Sequence, residues 1–335
     1  MKSLLNRRRA SLLCVASCVA LGISPAVWAQ APAADKYPSR PIRLVVPFGP
    51  GGPTDIAARA VAQKLGEALG QPVVIDNKPG AGGSVGSGDV ARAAADGYTL
   101  LYGSSSTLTV NPSLYGSRLP YDPAKAFTPV VLVARGAQVM IINASLPATN
   151  LKEFVEYARK NPAAISYSSP GIGSIGHLAC ELLIDTLGIK AVHVPYKSGA
   201  AAISAVVSGE TQFTIDAIGT TAAFSKAGRV KTVAVASEKR SAFAPDAPTV
   251  DEAGFKPVPA DFLSGIVAPA GTNPEIVRRL NAEVVKILRM PEVVTQLRNL
   301  GVDAQGGTPA EFGRLVDDET KKWARVVKLT GATAE

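Results

Sequence analysis

FTPVVLVARGAQVMIIN, residues 127–143, is too long and too apolar to be one ordinary strand, since strands usually run about 5–6 residues. Arg135, Gly136 and Ala137 interrupt it, so the stretch reads as one strand ending and another beginning in a different sheet. That reading divides the chain into two halves.

The flanks support the division. Before it, PIRLVVPF, QPVVIDN and DGYTLLYGS read as buried strands, separated by helical spacing in TDIAARAVAQKLGEAL and SVGSGDVARAAA. After it, LKEFVEYARKN, AISYSS, AVHVPY, GAAAISAVVSG, TQFTIDA and VKTVAVAS repeat the alternation. Continuous apolar strands between helices predict mostly parallel sheets covered on both faces. A Pro-rich connection, APDAPTVDEAGFKPVPAD, leads to the strand FLSGIVAPA and three helical segments. The fold class is therefore α/β with two lobes: residues 37–135 with 262–335, and residues 136–261. The chain crosses near Gly136 and returns near Asp261. Two crossings make a hinge, and the gap it frames at strand C-terminal ends is where open α/β sheets bind ligands.

The N-terminus carries an export signature. Lys2, Arg7, Arg8 and Arg9 precede an apolar run from Leu12 to Ile23, with Val27 and Ala29 in the cleavage positions. Cleavage is expected after Ala29, giving a periplasmic protein; general secretory and twin-arginine export both fit. Residues 1–29 hold four Lys and Arg and no acid, so their loss lowers the formal charge from +8 to +4. That charge is too small and too scattered for nucleic acid. Cys14 and Cys18 leave with the signal, and Cys180 then has no disulfide partner and reads as a packed core thiol. The mature chain is expected to act as a monomer, without cofactor or metal.

Two loops carry the candidate site. In VPFGPGGPTD, Pro53 suits a first helical turn, while Gly51 and Gly52 let backbone approach a ligand. Thr54, with the free N–H groups around it and Asp55, makes an anion site without Arg or Lys. Asp55 would repel a carboxylate, which assigns it to bracing the loop, and Phe48 would cover an apolar part of the ligand. SSPGIGSIGH has the same construction, with Gly173 permitting the turn, Ser174 as N-cap, and the amides of Ile175 and Gly176 behind it. Softer candidates are Ser104, Ser105 and Ser106, Asp216 as an acceptor for a ligand amine or a water, and Tyr196 at the cleft floor.

Catalysis is not expected. Gly171, Gly173 and Gly176 satisfy G-x-G-x-x-G, yet Tyr196 and Lys197 stand where a dinucleotide fold needs an acid. A nucleophile elbow around Ser174 fails because Ile172 occupies its first glycine position. His177 and His193 are the two histidines of the whole chain, too few for a zinc site, and His177 sits where a helix residue caps or packs.

With these residues in view, the chain resembles the Bug family of periplasmic solute-binding proteins, the receptors of tripartite tricarboxylate transporters. The resemblance covers the mature sequence, through YPSRPIRLVVPFGPGGPTD, VVIDNKPGAGGSVGSGDVARAAADGYTLL, NPSLYGSRLPYDPAKAFTPV, SYSSPGIGSIGHLACELL and GIVAPAGTNPEIVRRLN. It implies a Venus-flytrap fold, type II-like, with a hinged cleft. It also implies capture of a small carboxylate (a di- or tricarboxylate, an acidic amino acid or an aromatic acid) by loops matching residues 48–55 and 169–176. The implied partners are a large and a small integral membrane subunit or, alternatively, a membrane sensor kinase. VPYKSGAAA departs from the family pattern at Ser198 and Ala201.

Overall fold

The computed structural model describes residues 37–333; the expected signal peptide, residues 1–29, lies outside the described residues. The chain begins with β1 (Ile42–Val46), α1 (Pro53–Leu69), β2 (Val73–Asn77), α2 (Ser84–Ala91), β3 (Thr99–Ser104), the short helices α3 (Asn111–Tyr115) and α4 (Pro123–Ala126), and β4 (Phe127–Gly136). The second run is β5 (Gln138–Asn143), α5 (Leu151–Lys160), β6 (Ser166–Ser169), α6 (Ile175–Leu187), β7 (Val192–Pro195), α7 (Gly199–Ser208), β8 (Phe213–Ala217), α8 (Ile218–Lys226) and β9 (Val230–Ala236). Then come β10 (Phe262–Pro269), α9 (Pro274–Ile287), α10 (Pro291–Asn299), β11 (Asp303–Gly306) and α11 (Pro309–Thr330).

The stretch 127–143 does divide. β4 lies in a six-stranded sheet ordered β11-β4-β10-β3-β1-β2, and β5 in a five-stranded sheet ordered β7-β6-β8-β5-β9. Apart from the edge strand β11, the two orders are the same: second, first, third, an antiparallel strand, then a fourth. In each sheet the antiparallel strand is the one that has just arrived from the other, β10 in the first and β5 in the second. The inner parallel strand β1 is apolar because both of its faces are covered; its Ile42, Leu44, Val45 and Val46 are all fully buried.

Local signals set the helix ends. Pro53 stands in the first turn of α1, and Gly70 closes it at φ +69°, returning its N–H to Gly66. Ala57, Val61 and Leu65 then fall on one buried face at helical spacing. Asn150 caps α5, and Thr308 with Glu311 forms a capping box on α11.

The last helix packs differently from the division expected for residues 262–335. Phe312 near the start of α11 joins the first lobe's Leu132, Leu263 and Val267, whereas Trp323, Val326 and Val327 join the second lobe's Leu178 and Phe213. Lys322 Nζ also donates to the Pro259 carbonyl at 2.8 Å. A helix of 22 residues is about 33 Å long, enough to reach across both lobes. Val110 and Leu114, which precede β4, likewise pack into the second core.

The two crossings lie side by side, since Gly136 of β4 pairs with Phe262 of β10. Arg135 clamps them: its Nε donates to Asp261 Oδ2 at 2.6 Å, and its terminal nitrogen reaches the same oxygen. The Asp261 side chain is only 6% exposed, so it depends on this partner. Arg135→Ala is expected to destabilise the protein by about 3 kcal/mol by stranding a buried charge. Arg135→Met with Asp261→Leu should recover much of that loss. Chemical denaturation of the two variants checks it, and equal losses in both would contradict the assignment.

Candidate functional site

The first loop follows β1. Gly51 takes φ +80°, a conformation glycine adopts without strain, and hands the chain to Gly52, the N-cap of α1. Gly49, Pro50, Gly51 and Pro53 are exposed, and a side chain built at Gly52 would meet only the Gly49 carbonyl, at 3.8 Å. Pro53 has no N–H, so the first-turn donors are the amides of Thr54 and Asp55; Ile56 already bonds back to Gly52.

Asp55 turns inward as the brace of this loop. It is 2% exposed; Oδ2 accepts from Gly51 N–H at 2.9 Å and Arg59 Nε at 2.8 Å, and Oδ1 accepts from Asn77 Nδ2 at 2.9 Å. Burial alone would raise its pKa, but the bonds from Arg59, Gly51 and Asn77 hold the carboxyl below the usual range. Asn77 Nδ2 also donates to the Phe48 carbonyl at 3.0 Å, fixing the loop's other end, while the Phe48 ring is half-buried. A place for Asp55 among ligand-contacting residues is therefore not what its geometry provides: both oxygens are occupied by the protein.

The second loop follows β6. Gly171 and Gly173 take φ +122° and +74°, and Ser174 caps α6 by accepting from the His177 N–H at 3.2 Å. The amides of Ile175 and Gly176 remain as first-turn donors, because Leu178 N–H already bonds to the Ser174 carbonyl. Gly176 has no room for a side chain: a Cβ there would sit 2.5 Å from the Ile215 carbonyl, so α6 starts hard against β8. Gly173 is itself buried, and its N–H is taken by His177 Nδ1 at 3.1 Å.

The loops are joined by a segment that the reading of single motifs missed. Gly80, Ala81, Gly82 and Gly83 all hold positive φ, from +45° at Ala81 to +133° at Gly80, an unusual run that includes a non-glycine. Asn111 Nδ2 ties this turn to α3 by donating to Gly82 O and Ser84 Oγ, both at 3.1 Å. A Cβ at Gly83 would lie 3.3 Å from the Phe48 ring, and one at Gly173 would strike Leu114 of α3. Gly83 thus sits close to the Phe48 ring and Gly173 close to Leu114, with Asn111 of α3 holding the turn between them. The sequence signal was available in KPGAGGS, whose glycines mark a turn.

Other expected residues divide. Ser105 is 1% exposed; its Oγ accepts from Leu263 N–H at 2.8 Å, tying the end of β3 to β10 and turning it away from the gap. Ser106 is half-buried at the start of a π-helical turn, residues 106–110, of a kind found frequently at functional sites. Ser104 Oγ is buried without a partner. Asp216 is 7% exposed: Oδ1 accepts from Ala217 N–H at 2.7 Å and Thr220 Oγ1 at 3.0 Å, while Oδ2 has no partner and crowds Gly199 at the start of α7. Burial raises its pKa, opposed by those two bonds. Tyr196 points outward to Glu210, its OH donating at 2.6 Å. Ser198, one of the departures from the family pattern, caps α7 by accepting from Ala201 N–H at 3.2 Å. A polar cavity of about 270 Å³ sits beside the crossing, lined by Arg135, Lys239, Arg240, Asp261 and Asp303 among others, and holds none of the loop residues.

The sequence from 57 to 332 matches the model of the tripartite tricarboxylate transporter family receptor. The chain belongs to that family. Three solved structures agree with its architecture. The Rhodopseudomonas palustris protein Rpa4515 with adipate is 35% identical, with TM-score 0.78 over 89% of this chain and 99% of that one. The periplasmic binding protein BugD is 34% identical, with TM-score 0.75 over 89% and 100%. MatC from Rhodopseudomonas palustris with bound malate is 34% identical, with TM-score 0.74 over 87% and 100%. The receptor family and the two-lobed α/β fold of periplasmic binding proteins are thus common to this chain and to them.

Beneath the second loop of this receptor, the two histidines stack with ring centroids 4.1 Å apart, and Tyr167 stacks on His193 at 4.8 Å. Burial lowers both imidazoles to about 4; for His193 the neighbouring His177 lowers it further while Glu181 opposes. An unfolded histidine titrates near 6.5. Between those values the unfolded chain binds more protons, so the histidines' contribution to stability is complete above about pH 6.5 and lost as pH falls toward about 4. Thermal midpoints measured from pH 7.5 down to 4.5 should fall, and the fall should shrink in a His177→Asn, His193→Asn double variant.

Proposed function

We propose that this receptor captures a small carboxylate between residues 48–55 of the first lobe and 169–176 of the second, and delivers it to the large and small membrane subunits of a tripartite transporter. The observation that carries this reading is the pairing of two strand-to-helix loops at matching positions in two sheets of the same order, each opening a helix whose first-turn amides have no intrahelical partner. Such helix starts attract anions through their N–H groups and dipoles. Neither loop contains Arg or Lys. Two amide sets suit two carboxylates, and the solved relatives carry adipate and malate.

In this reading the amides of Thr54 and of Ile175 and Gly176 hold the carboxylate oxygens. Gly51 and Gly52 keep the approach open, Phe48 covers the ligand's carbon chain, and Ser106 and Ser174 supply hydroxyls. The unpartnered Asp216 Oδ2 accepts from a ligand hydroxyl or amine, or from a bridging water. The protein binds and releases its solute without chemistry and works in the periplasm after cleavage behind Ala29.

A thermal-shift panel on residues 30–335 tests this with malate, adipate, citrate, aspartate and benzoate. A bound ligand at 100 times its Kd stabilises by about 2.7 kcal/mol, a shift of several degrees or less in a chain this size. Gly52→Trp places a bulky group over the α1 amides at a site with ordinary φ and open space, and Ser174→Trp does so on α6. Each should abolish the shift. Stabilisation by none of the five, or an undiminished shift in both variants, would overturn the proposal.

A further inference from the structure

The glycines of the second loop have little of their own to hold them. Gly171, Ile172 and Gly173 follow a strand end, two of them at positive φ, and the Ile172 side chain is 41% exposed. Ordering such residues costs about 1–2 kcal/mol each, and a loop already ordered spares the ligand that cost. What orders it lies behind it, on the sheet.

His177 Nδ1 accepts from the Gly173 N–H at 3.1 Å. An accepting Nδ1 carries no proton, so Nε2 bears it and faces Glu181 Oε1 at 4.0 Å; the same oxygen accepts from the Tyr167 hydroxyl. His193 Nε2 lies 2.7 Å from Ser169 Oγ, and Ser169 Oγ accepts from the Gly171 N–H at 3.2 Å. Register supplies the pairing: His193 on β7 stands directly opposite Tyr167 on β6, which places its ring against His177 on α6. His177 thus holds Gly173 directly, while His193 reaches Gly171 through Ser169, whose Oγ also donates to the Gly171 carbonyl at 3.3 Å.

We propose that His177 and His193 are positioning residues for solute capture, a stacked imidazole pair that fixes Gly171 and Gly173 and so aims the first-turn amides of α6 at the ligand. This rests on the carboxylate-receptor reading above. His177 must be neutral to work, because a protonated Nδ1 would set one donor against another at Gly173. The titratable groups around it are Tyr167 on β6, Glu181 on α6 and the second imidazole, with the buried Cys180 thiol beside Glu181. Burial of both rings lowers their affinity for protons, which keeps the accepting form at neutral pH.

The test uses residues 30–335, malate and adipate as probes, calorimetric titration at pH 7.5, and hydrogen exchange of the peptide covering 170–176. His177→Leu removes the acceptor and keeps an apolar side chain. It should weaken binding about tenfold, as expected when one or two loop residues must be ordered on binding, and raise exchange in that peptide. His177→Asn places a carbonyl oxygen near the position of Nδ1 and should restore both. Where His177→Leu is too unstable to titrate, Ser169→Ala removes the His193 arm alone and should show the same two changes. Binding unchanged while the loop loses protection would overturn the role in capture. An Asn variant as poor as the Leu variant would overturn it too, since packing rather than the accepting nitrogen would then matter. Wild-type protein that binds neither probe but is stabilised by another carboxylate would move the titrations to that ligand with the same criteria. Wild-type protein that binds no carboxylate would sink the receptor reading and this proposal with it, while exchange in the loop would still report whether the histidines hold it.

Discussion

A single residue, Ala137, separates the end of β4 in one sheet from the start of β5 in the other. So short a link keeps the end of one sheet next to the start of the other. β5 must run on in the direction of β4 and insert antiparallel between β8 and β9; the returning β10 does the same between β3 and β4. Both crossings therefore lie together, and Arg135 neutralises Asp261 where they touch. The Ile218 N–H donates to the Ala137 carbonyl at 3.2 Å, fastening the start of α8 to the link itself. On the other side of the crossing, Gly301 approaches Gly219 so closely that a Cβ on either would strike backbone. The two sheets set where the loops following β1 and β6 begin, and the loops' own residues set their shape.

The two loops solve one electrostatic problem in different ways. In the reading proposed above, helix starts supply positive potential without a cationic side chain, which avoids a buried Arg or Lys that would need its own partner when no anion is bound. In the first loop the brace is charged. Asp55 would disfavour an anion nearby, but Arg59 and Asn77 engage its oxygens, and Arg59 offsets its charge. In the second loop the brace is neutral and aromatic, through two imidazoles and a tyrosine. Neither brace uses a group that changes charge at neutral pH.

How much of this was legible follows from how local each signal is. The break in 127–143, the proline in the first turn of α1 and the serine cap of α6 are neighbour effects, and each is written in a few consecutive residues. The bracing role of Asp55 was legible too, because an acid in the first turn of a helix read as binding an anion conflicts with that ligand. Ser105 reads like Ser106 in sequence, yet a one-residue step turns it onto β10, and only the strand pairing decides that. The reach of α11 across both lobes is invisible for a similar reason: helical spacing shows that Phe312 and Trp323 are buried, not in which core. The histidine stack needed the register Tyr167 to His193 and the start of α6 together, three segments that no local pattern connects.

These braces also respond differently to acid. Asp55 is held below the usual carboxylate range by its partners, so it stays charged, and its bonds to Gly51 and Asn77 charge-assisted, to lower pH than an ordinary aspartate would. The imidazoles are held down to about 4 by burial, and the bond from Gly173 is lost when His177 takes a second proton. Above that value both braces are in place, and in the proposed reading the affinity is then not reduced by the cost of arranging glycines. A loop made of glycine for close approach is by the same property a loop prone to disorder. In both lobes the residues that remove this disorder, Asp55 with Asn77 and His177 with His193, sit one layer behind the loop amides, and in the proposed reading that division of labour leaves bare backbone to face the solute.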